Sequence, residues 1–182
     1  MENANTLSLG SASYAAKRAA DVVFVLQNKD QLDDDALTRQ LMVTLKKYGE
    51  KSVIIATNLD ELRVVGQKLH SVFATGNTEQ AAILLNAILG KYGHAPRLSM
   101  HGNTPWHLHV DSNDHAPWAE WFAGSSALAL ATLLAEKQRN PGGLCASQTC
   151  SRPFIDSGKG GGRTYCSPRC ATRERVSAYR KR

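Results

Sequence analysis

The chain places all of its cysteines in its last quarter. They are Cys145, Cys150, Cys166 and Cys170, with 4, 15 and 3 residues between successive members. Each close pair can chelate one ion from a single tight turn, and the longer segment can fold back to bring the two pairs together. The spacing therefore predicts one structural zinc ion held by four thiolates, which leave no open coordination position for catalysis.

Two other uses of four cysteines stay open on spacing alone. Structural disulfides need an oxidising compartment, and the polar opening segment MENANTLSLGSAS carries no export signal. An iron–sulfur cluster also takes four cysteines, but this spacing matches neither common ferredoxin pattern. Zinc is therefore the ion that we expect.

The residues around the cysteines predict a short β-hairpin and a helix. Residues 152–156 and 163–165 would be the strands, joined by a glycine-rich turn that lacks the ending of a phosphate-binding loop. Ser167 as the N-cap and Pro168 as the first helical residue predict a helix that carries Cys170 in its first turn. This segment has few apolar side chains, so we do not expect it to fold without metal.

The positive charge of the chain coincides with the cysteine segment. Residues 145–182 hold nine Lys and Arg against two acidic residues, a net charge of +7. The other 144 residues hold 13 basic and 14 acidic residues, a net charge of −1. A neutral body with a basic device is typical of contact with a polyanion, although a solubilising tail has the same composition.

The helix that begins at Pro168 provides the candidate nucleic-acid contacts. Its arginines recur at helical intervals, and guanidinium groups can neutralise phosphates and read guanine edges. We expect Val176 and Tyr179 to pack back on the module. The candidate contact residues are Arg169, Arg173, Arg175, Arg180, Lys181 and Arg182.

The rest of the chain predicts a mainly α fold. Apolar residues recur at helical spacing in five segments. We therefore predict a helical regulatory or ligand-sensing domain over residues 1–140, with one β-hairpin near residues 97–111. A four-cysteine zinc finger with a short β-hairpin and a basic helix would follow over residues 141–182. Pro141-Gly142-Gly143 is the predicted hinge between the two.

Capping residues mark several helix boundaries. Asp33 to Asp35 place negative charge at the start of one helix, which Gly49 would end. Asn58 and Glu61 form a capping-box pattern for the next helix. Asn77 is the predicted cap of a fourth.

Histidines cluster in the predicted hairpin, whose turn covers residues 102–105. Alternation places Trp106, Leu108 and Val110 on one face of the second strand and His107, His109 and Asp111 on the other. We favour a hairpin whose apolar face enters the core while its polar face meets solvent. A pocket for a small-molecule effector and a second metal site stay open. Their candidate ligands are Trp106, His107, His109 and Asp111.

The segment FIDSGKGGGRTYCSPRCATRERVSAYRKR resembles the CGNR zinc finger family of bacterial proteins, and Cys145 with Cys150 fits the first knuckle of that family. Residues 84–136 are more weakly similar to the end of the family's helical N-terminal domain, which is regarded as a stress-induced regulatory domain. The resemblance implies a transcription regulator. One departure is Ala171-Thr172 in place of the family's Gly-Asn, a change that zinc binding should survive.

These features together predict a bacterial, cytoplasmic, DNA-binding regulator that is not an enzyme. The sequence has no nucleophile elbow, phosphate loop or metalloprotease motif. Its longest apolar run, Val22–Leu26, is too short to cross a membrane. The alternative is a zinc-stabilised module that binds a protein or RNA. A small-molecule effector and a homodimer stay open as partners.

Overall fold

The computed structural model describes residues 9–27, 32–50, 59–100, 106–156, 158 and 162–180. They form six helices and two antiparallel sheets of two strands each, which confirms the mainly helical prediction. The helices are α1 (Leu9–Gln27), α2 (Asp34–Lys46), α3 (Leu59–Ala74), α4 (Thr78–Tyr92), α5 (Trp118–Lys137) and α6 (Pro168–Arg180). The strands are β1 (Arg97–Ser99), β2 (His107–His109), β3 (Gly142–Leu144) and β4 (Pro153–Ile155).

Helices α1 and α5 form the centre of the helical body. Helix α1 contacts α2, α3 and α5, and α4 packs on α3 and α5. The apolar residues of α1 fall on several sides, which predicts a buried position in a bundle. Val23 on α1 and Phe122 and Leu130 on α5 are fully or almost fully buried, as that pattern predicts.

Capping explains two of the helix boundaries. The side chain of Asp33 accepts a hydrogen bond from the backbone N–H of Ala36 at the start of α2. Asn77 caps α4 in the same way through the N–H of Gln80, as predicted. The predicted capping box of α3 depends on Asn58, which lies outside the described residues.

The first hairpin confirms the predicted strands but reverses their faces. Leu98 and Leu108 are cross-strand partners, and their exposed fractions are 65% and 40%. Trp106 is also exposed, at 62%, whereas His109 and Asp111 are buried. The prediction that Trp106 and Leu108 enter the core is therefore wrong, although Val110 is buried.

The polar face can turn inward because its charged groups form ion pairs with one another. Arg97 forms ion pairs with Asp111 and Asp114, each at 2.6 Å. The hydroxyl of the buried Ser99 donates to Asp114 at 2.9 Å. Buried polar groups are tolerated when they are hydrogen-bonded, and strand alternation alone does not tell which face is satisfied in this way. The predicted turn at residues 102–105 lies outside the described residues.

The second hairpin pairs different strands from those predicted. Strand β4 lies within the predicted first strand, but its partner is β3, which precedes Cys145. Residues 163–165 are not a strand. The close pairing depends on Gly142, because a Cβ atom there would lie 2.0 Å from the carbonyl oxygen of Phe154. The predicted hinge is therefore wrong, since Gly142 and Gly143 form part of a strand.

This hairpin packs on the helical body. Strand β4 contacts α1 and α3, and Ile155 belongs to the main hydrophobic core. Arg152 pairs with Asp21 of α1 at 3.0 Å, and its guanidinium carbon lies 4.6 Å from the ring centroid of Phe24. The cysteine segment thus shares core and ion-pair contacts with the helices. The division into residues 1–140 and 141–182 stays a prediction.

Candidate metal centre

The first cysteine pair lies in a tight turn between β3 and β4. Cys145 directly follows β3, and its backbone N–H donates to the carbonyl oxygen of Arg152 at 3.0 Å. The N–H of Cys150 donates to the carbonyl oxygen of Ser147 at 3.0 Å, which closes a turn within the pair. Both thiols therefore point from one short, hydrogen-bonded loop toward the same centre.

The second pair lies at the start of α6. Cys166 precedes the helix, and Cys170 falls in its first turn. The hydroxyl oxygen of Ser167 accepts the N–H of Cys170 at 3.3 Å, and Pro168 is the first helical residue. The local structure is the one that the sequence predicts, because a Ser-Pro pair both caps a helix and fixes its first φ angle.

The four sulfur atoms have the spacing of a tetrahedral site. All four lie within 4.8 Å of one another, and the Cys150–Cys166 and Cys166–Cys170 Sγ distances are both 3.7 Å. Zinc–sulfur bonds of about 2.3 Å in a regular tetrahedron give sulfur–sulfur edges of roughly 3.8 Å. The cluster can therefore hold one zinc ion with little rearrangement.

Hydrogen-bond donors around the cluster stabilise thiolates. The N–H of Cys166 approaches the Sγ of Cys145 at 3.4 Å. Arg173 donates from Nη2 to the Sγ of Cys170 at 3.3 Å and to the Oγ of Ser147 at 2.9 Å. Zinc with four thiolates has a formal charge of −2, and the Arg173 guanidinium offsets part of it.

The thiols of the second pair differ in acidity. Hydrogen bonding from Ser167, ahead of the other cysteines, lowers the pKa of Cys170 to about 7. Burial and hydrogen bonds with the other cysteines raise the pKa of Cys166 to about 12. A metal ion removes this difference, because a coordinated thiol is deprotonated.

Sequence reasoning missed two side chains of the site, those of Glu174 and Ser147. Glu174 on α6 accepts a hydrogen bond from the hydroxyl of Ser147 at 2.6 Å and another from the N–H of Gln148 at 3.2 Å. These contacts join the first knuckle to the helix of the second. The signal in the sequence was Glu174 itself, one of two acidic residues in a strongly basic segment.

Four thiols in tetrahedral reach, held by a hairpin turn and a helix start, define a small zinc-binding module. Residues 143–182 match the family model described as CGNR zinc finger, which confirms the resemblance over this part of the chain. A search of curated proteins gave no significant match. In place of the family's Gly-Asn, Ala171 donates its N–H to the carbonyl oxygen of Ser167, and Thr172 accepts from Arg175.

Four of the six candidate nucleic-acid residues lie on α6. Arg169, Arg173, Arg175 and Arg180 are all exposed, while Lys181 and Arg182 lie outside the described residues. Their role in binding stays a prediction.

The apolar side chains of α6 do not pack as predicted. Tyr179 is 81% exposed and Val176 is 44% exposed. The prediction that they pack back on the module is wrong, because Cys170 is the one residue of α6 that is buried.

The histidine hairpin brings together three of its four candidate ligands. His109 Nδ1 lies 2.9 Å from Asp111 Oδ2, and His109 Nε2 lies 2.8 Å from His107 Nε2. Trp106 is exposed and, by strand alternation, lies on the same face as Leu108, so it does not join this cluster.

Among the described residues, none of the helices has the length and apolarity that crossing a membrane requires.

Proposed function

We propose that the protein is a zinc-dependent, DNA-binding transcription regulator and not an enzyme. The observation that carries the proposal is the construction of α6. This helix is fixed at its first turn by Cys170 and Ser167, and it exposes nearly all of its remaining surface. A basic helix held rigidly at one end is suited to enter a groove of a nucleic acid.

The charge and size of α6 support a DNA contact. The helix has 13 residues and therefore spans roughly 20 Å, and a helix with its side chains is about as wide as the major groove. Arg169, Arg175 and Arg180 are exposed along it and can neutralise phosphates or read guanine. Lys181 and Arg182 would extend the same charged surface.

Arg173 has a different role in this proposal. Its guanidinium already donates to Cys170 and to Ser147, so it supports the zinc site. We therefore assign the DNA contacts chiefly to the other three arginines of α6. Substitution of Arg173 would weaken zinc binding and DNA binding together.

The helical body would be the regulatory part. The match of residues 143–182 to the CGNR zinc finger supports a regulator, and a response to stress follows from the weaker resemblance of residues 84–136. A cytoplasmic location is part of the same proposal. The buried cluster of the first hairpin is the proposed effector site. A single short helix makes a small footprint on DNA, so we propose that the protein binds as a homodimer.

The test is fluorescence anisotropy of the zinc-loaded protein at several salt concentrations. The two probes are a duplex from its own upstream region and a random duplex of equal length. We expect tighter binding to the upstream duplex at physiological salt. In an Arg169→Gln/Arg180→Gln variant, the slope of log K against log salt should fall by about 0.9 per lost phosphate contact.

The matched control is Arg39→Gln, which removes an exposed arginine of α2 far from the basic segment in the sequence. It should leave both affinity and slope unchanged. Equal losses in the control and the double variant, or no loss in either, would contradict the assignment of DNA contacts to α6.

A protein or RNA partner is the second candidate. The exposed Tyr179 and Val176 favour it, because exposed aromatic and aliphatic side chains on a basic helix can anchor a protein surface or stack on bases. Weak and equal binding to both duplexes, together with tighter binding to single-stranded RNA, would favour the RNA form. Weak binding to all nucleic acids would favour a protein partner.

A further inference from the structure

The first hairpin contains two histidine rings whose nitrogens converge. His107 Nε2 and His109 Nε2 are 2.8 Å apart, and the ring centroids are 4.7 Å apart. His109 is buried, whereas His107 is only half-buried. Two ring nitrogens at this distance must have a positive centre between them, either a proton or a metal ion, because two lone pairs repel each other.

The carboxylate of Asp111 fixes the tautomer of His109. Its two oxygens lie 3.1 and 2.9 Å from His109 Nδ1, so this nitrogen carries a proton and donates it. The lone pair of His109 is then on Nε2, directed at His107. A carboxylate behind one ring nitrogen, with the lone pair on the other, is the arrangement that orients histidine ligands in metal sites.

Asp111 is itself held in place. It is buried and receives Arg97 at 2.6 Å, while Arg97 also pairs with Asp114 at 2.6 Å. The adjoining residue Val110 packs against α5, where a Cβ on Gly124 would lie 3.4 Å from its Cγ2 atom. The carboxylate and the His109 ring are therefore positioned before any ligand arrives. Metal binding then costs little additional ordering of these side chains.

We propose that His107 and His109 bind one divalent first-row transition-metal ion through their Nε2 atoms, with Asp111 as the positioning residue. Metal–nitrogen bonds of about 2.0–2.1 Å place two ligand nitrogens roughly 2.9 Å apart at a right angle, and roughly 3.3 Å apart at a tetrahedral angle. Starting from the observed separation, metal binding therefore requires little or no movement of the rings. Imidazole pairs suit zinc, nickel and copper ions.

The site differs from the cysteine cluster in being open. Among the described residues of the hairpin, two side chains offer ligand nitrogens, and such a pair leaves coordination positions for water or for a small anionic ligand near the half-buried His107. We therefore expect weaker and more reversible binding than at four thiolates. As an effector site it rests on the proposed regulatory function, but metal binding itself is independent of α6 and of DNA.

The test is calorimetric titration of the full chain with Zn²⁺, starting from protein that already holds one equivalent at the cysteines. We expect the wild type to take up a second equivalent. His107→Ala should abolish the second equivalent and keep the first. Asp111→Asn keeps both ligands and should weaken the second equivalent about 10–100-fold.

The control is His115→Ala, which removes an exposed histidine a few residues away and should change nothing. Imidazole ¹⁵N spectra provide a readout that a merely structural role of Asp111 would not move. They should show His109 protonated at Nδ1 in the wild type and a mixed tautomer in Asp111→Asn. Urea denaturation of each variant checks that it is folded.

Three outcomes would overturn the proposal. The first is a wild type that takes up no more than one equivalent at about millimolar free zinc, because the ring nitrogens then share a proton. The second equivalent could persist in His107→Ala, which would place it elsewhere. An unchanged affinity and tautomer in Asp111→Asn would remove the positioning role. Because DNA is absent from the titration, none of these outcomes bears on DNA binding.

Discussion

Helices α5 and α6 show two different ways of holding a helix in one chain. Helix α5 has 20 residues, of which nine are buried, and it packs against α1, α3 and α4. Helix α6 has 13 residues, and its one buried residue is Cys170. The first helix is stabilised along its whole length by apolar packing, whereas the second is stabilised at one end.

The difference explains why the helical body and the cysteine segment differ in composition. A helix buried on most sides needs small and apolar residues such as Ala123 and Ala127, and it has little room for charge. A helix fixed only at its first turn can carry arginines on the rest of its surface. For α6, the metal site thus takes the place of the apolar packing that a strongly basic helix cannot provide.

Removing the metal should produce the largest difference between α5 and α6. In Cys170→Ser we expect loss of the bound zinc and loss of helical structure in α6, because structural zinc contributes about 10–16 kcal/mol to the folding of small zinc modules. The measurements are zinc content and amide hydrogen exchange. Exchange should become fast in α6 and stay slow in α5.

Ser151→Ala is the matched control, since Ser151 is an exposed residue of the same module that is not a candidate ligand. It should retain zinc and slow exchange. If α6 kept its protection in Cys170→Ser, the helix would be stable by itself and the comparison with α5 would be wrong.

A core substitution should have the opposite pattern. Phe122 on α5 is 1% exposed, so Phe122→Ala should lower the free energy of unfolding by about 3–5 kcal/mol through lost burial and a cavity. Urea denaturation measures this loss, and the zinc held at the cysteines should remain at one equivalent. Ile83→Ala removes a side chain that is 54% exposed on α4 and should change stability by about 0.5 kcal/mol or less. Loss of zinc in parallel with stability in Phe122→Ala would show that the metal site depends on the core.

Removing a helix cap should have the smallest effect, and it compares one cap in the helical body with one cap in the zinc module. Asp33→Ala and Ser167→Ala each remove one side-chain acceptor from a helix start, at a cost of about 1 kcal/mol. In Asp33→Ala this cost should appear in urea denaturation of the body. In Ser167→Ala it should appear as a zinc affinity weakened about fivefold, measured by competition with a chelator. The result that contradicts the comparison is a loss of body stability in Ser167→Ala with zinc affinity unchanged.

The sequence predicted features whose causes are local. The cysteine spacing, the Ser167-Pro168 helix start and the Asn77 cap each depend on a few neighbouring residues, and the structure confirms each of them. The family resemblance was also correct over residues 143–182, because it rests on the same local pattern.

The features that sequence reasoning missed depend on distant partners. Alternation identified the two faces of the first hairpin, but Arg97 and Asp114 decide that the polar face is the buried one. The predicted partner of β4 was wrong because the actual partner strand contains Gly142, and glycine next to Pro141 predicts a turn. The ion pair of Arg152 with Asp21 joins residues 131 positions apart, and no local pattern reveals it.

The burial of Ile155 limits how far the zinc finger can be transplanted. Its side chain is 4% exposed and lies in the same core as the helices, although it falls inside residues 143–182, which match the finger family. A finger grafted onto another protein at that boundary would carry an apolar strand exposed to solvent. The helical bundle left behind would expose the core residues that Ile155 covers. Chimeras of this protein should therefore exchange the finger with a helical partner that has a matching socket for Ile155.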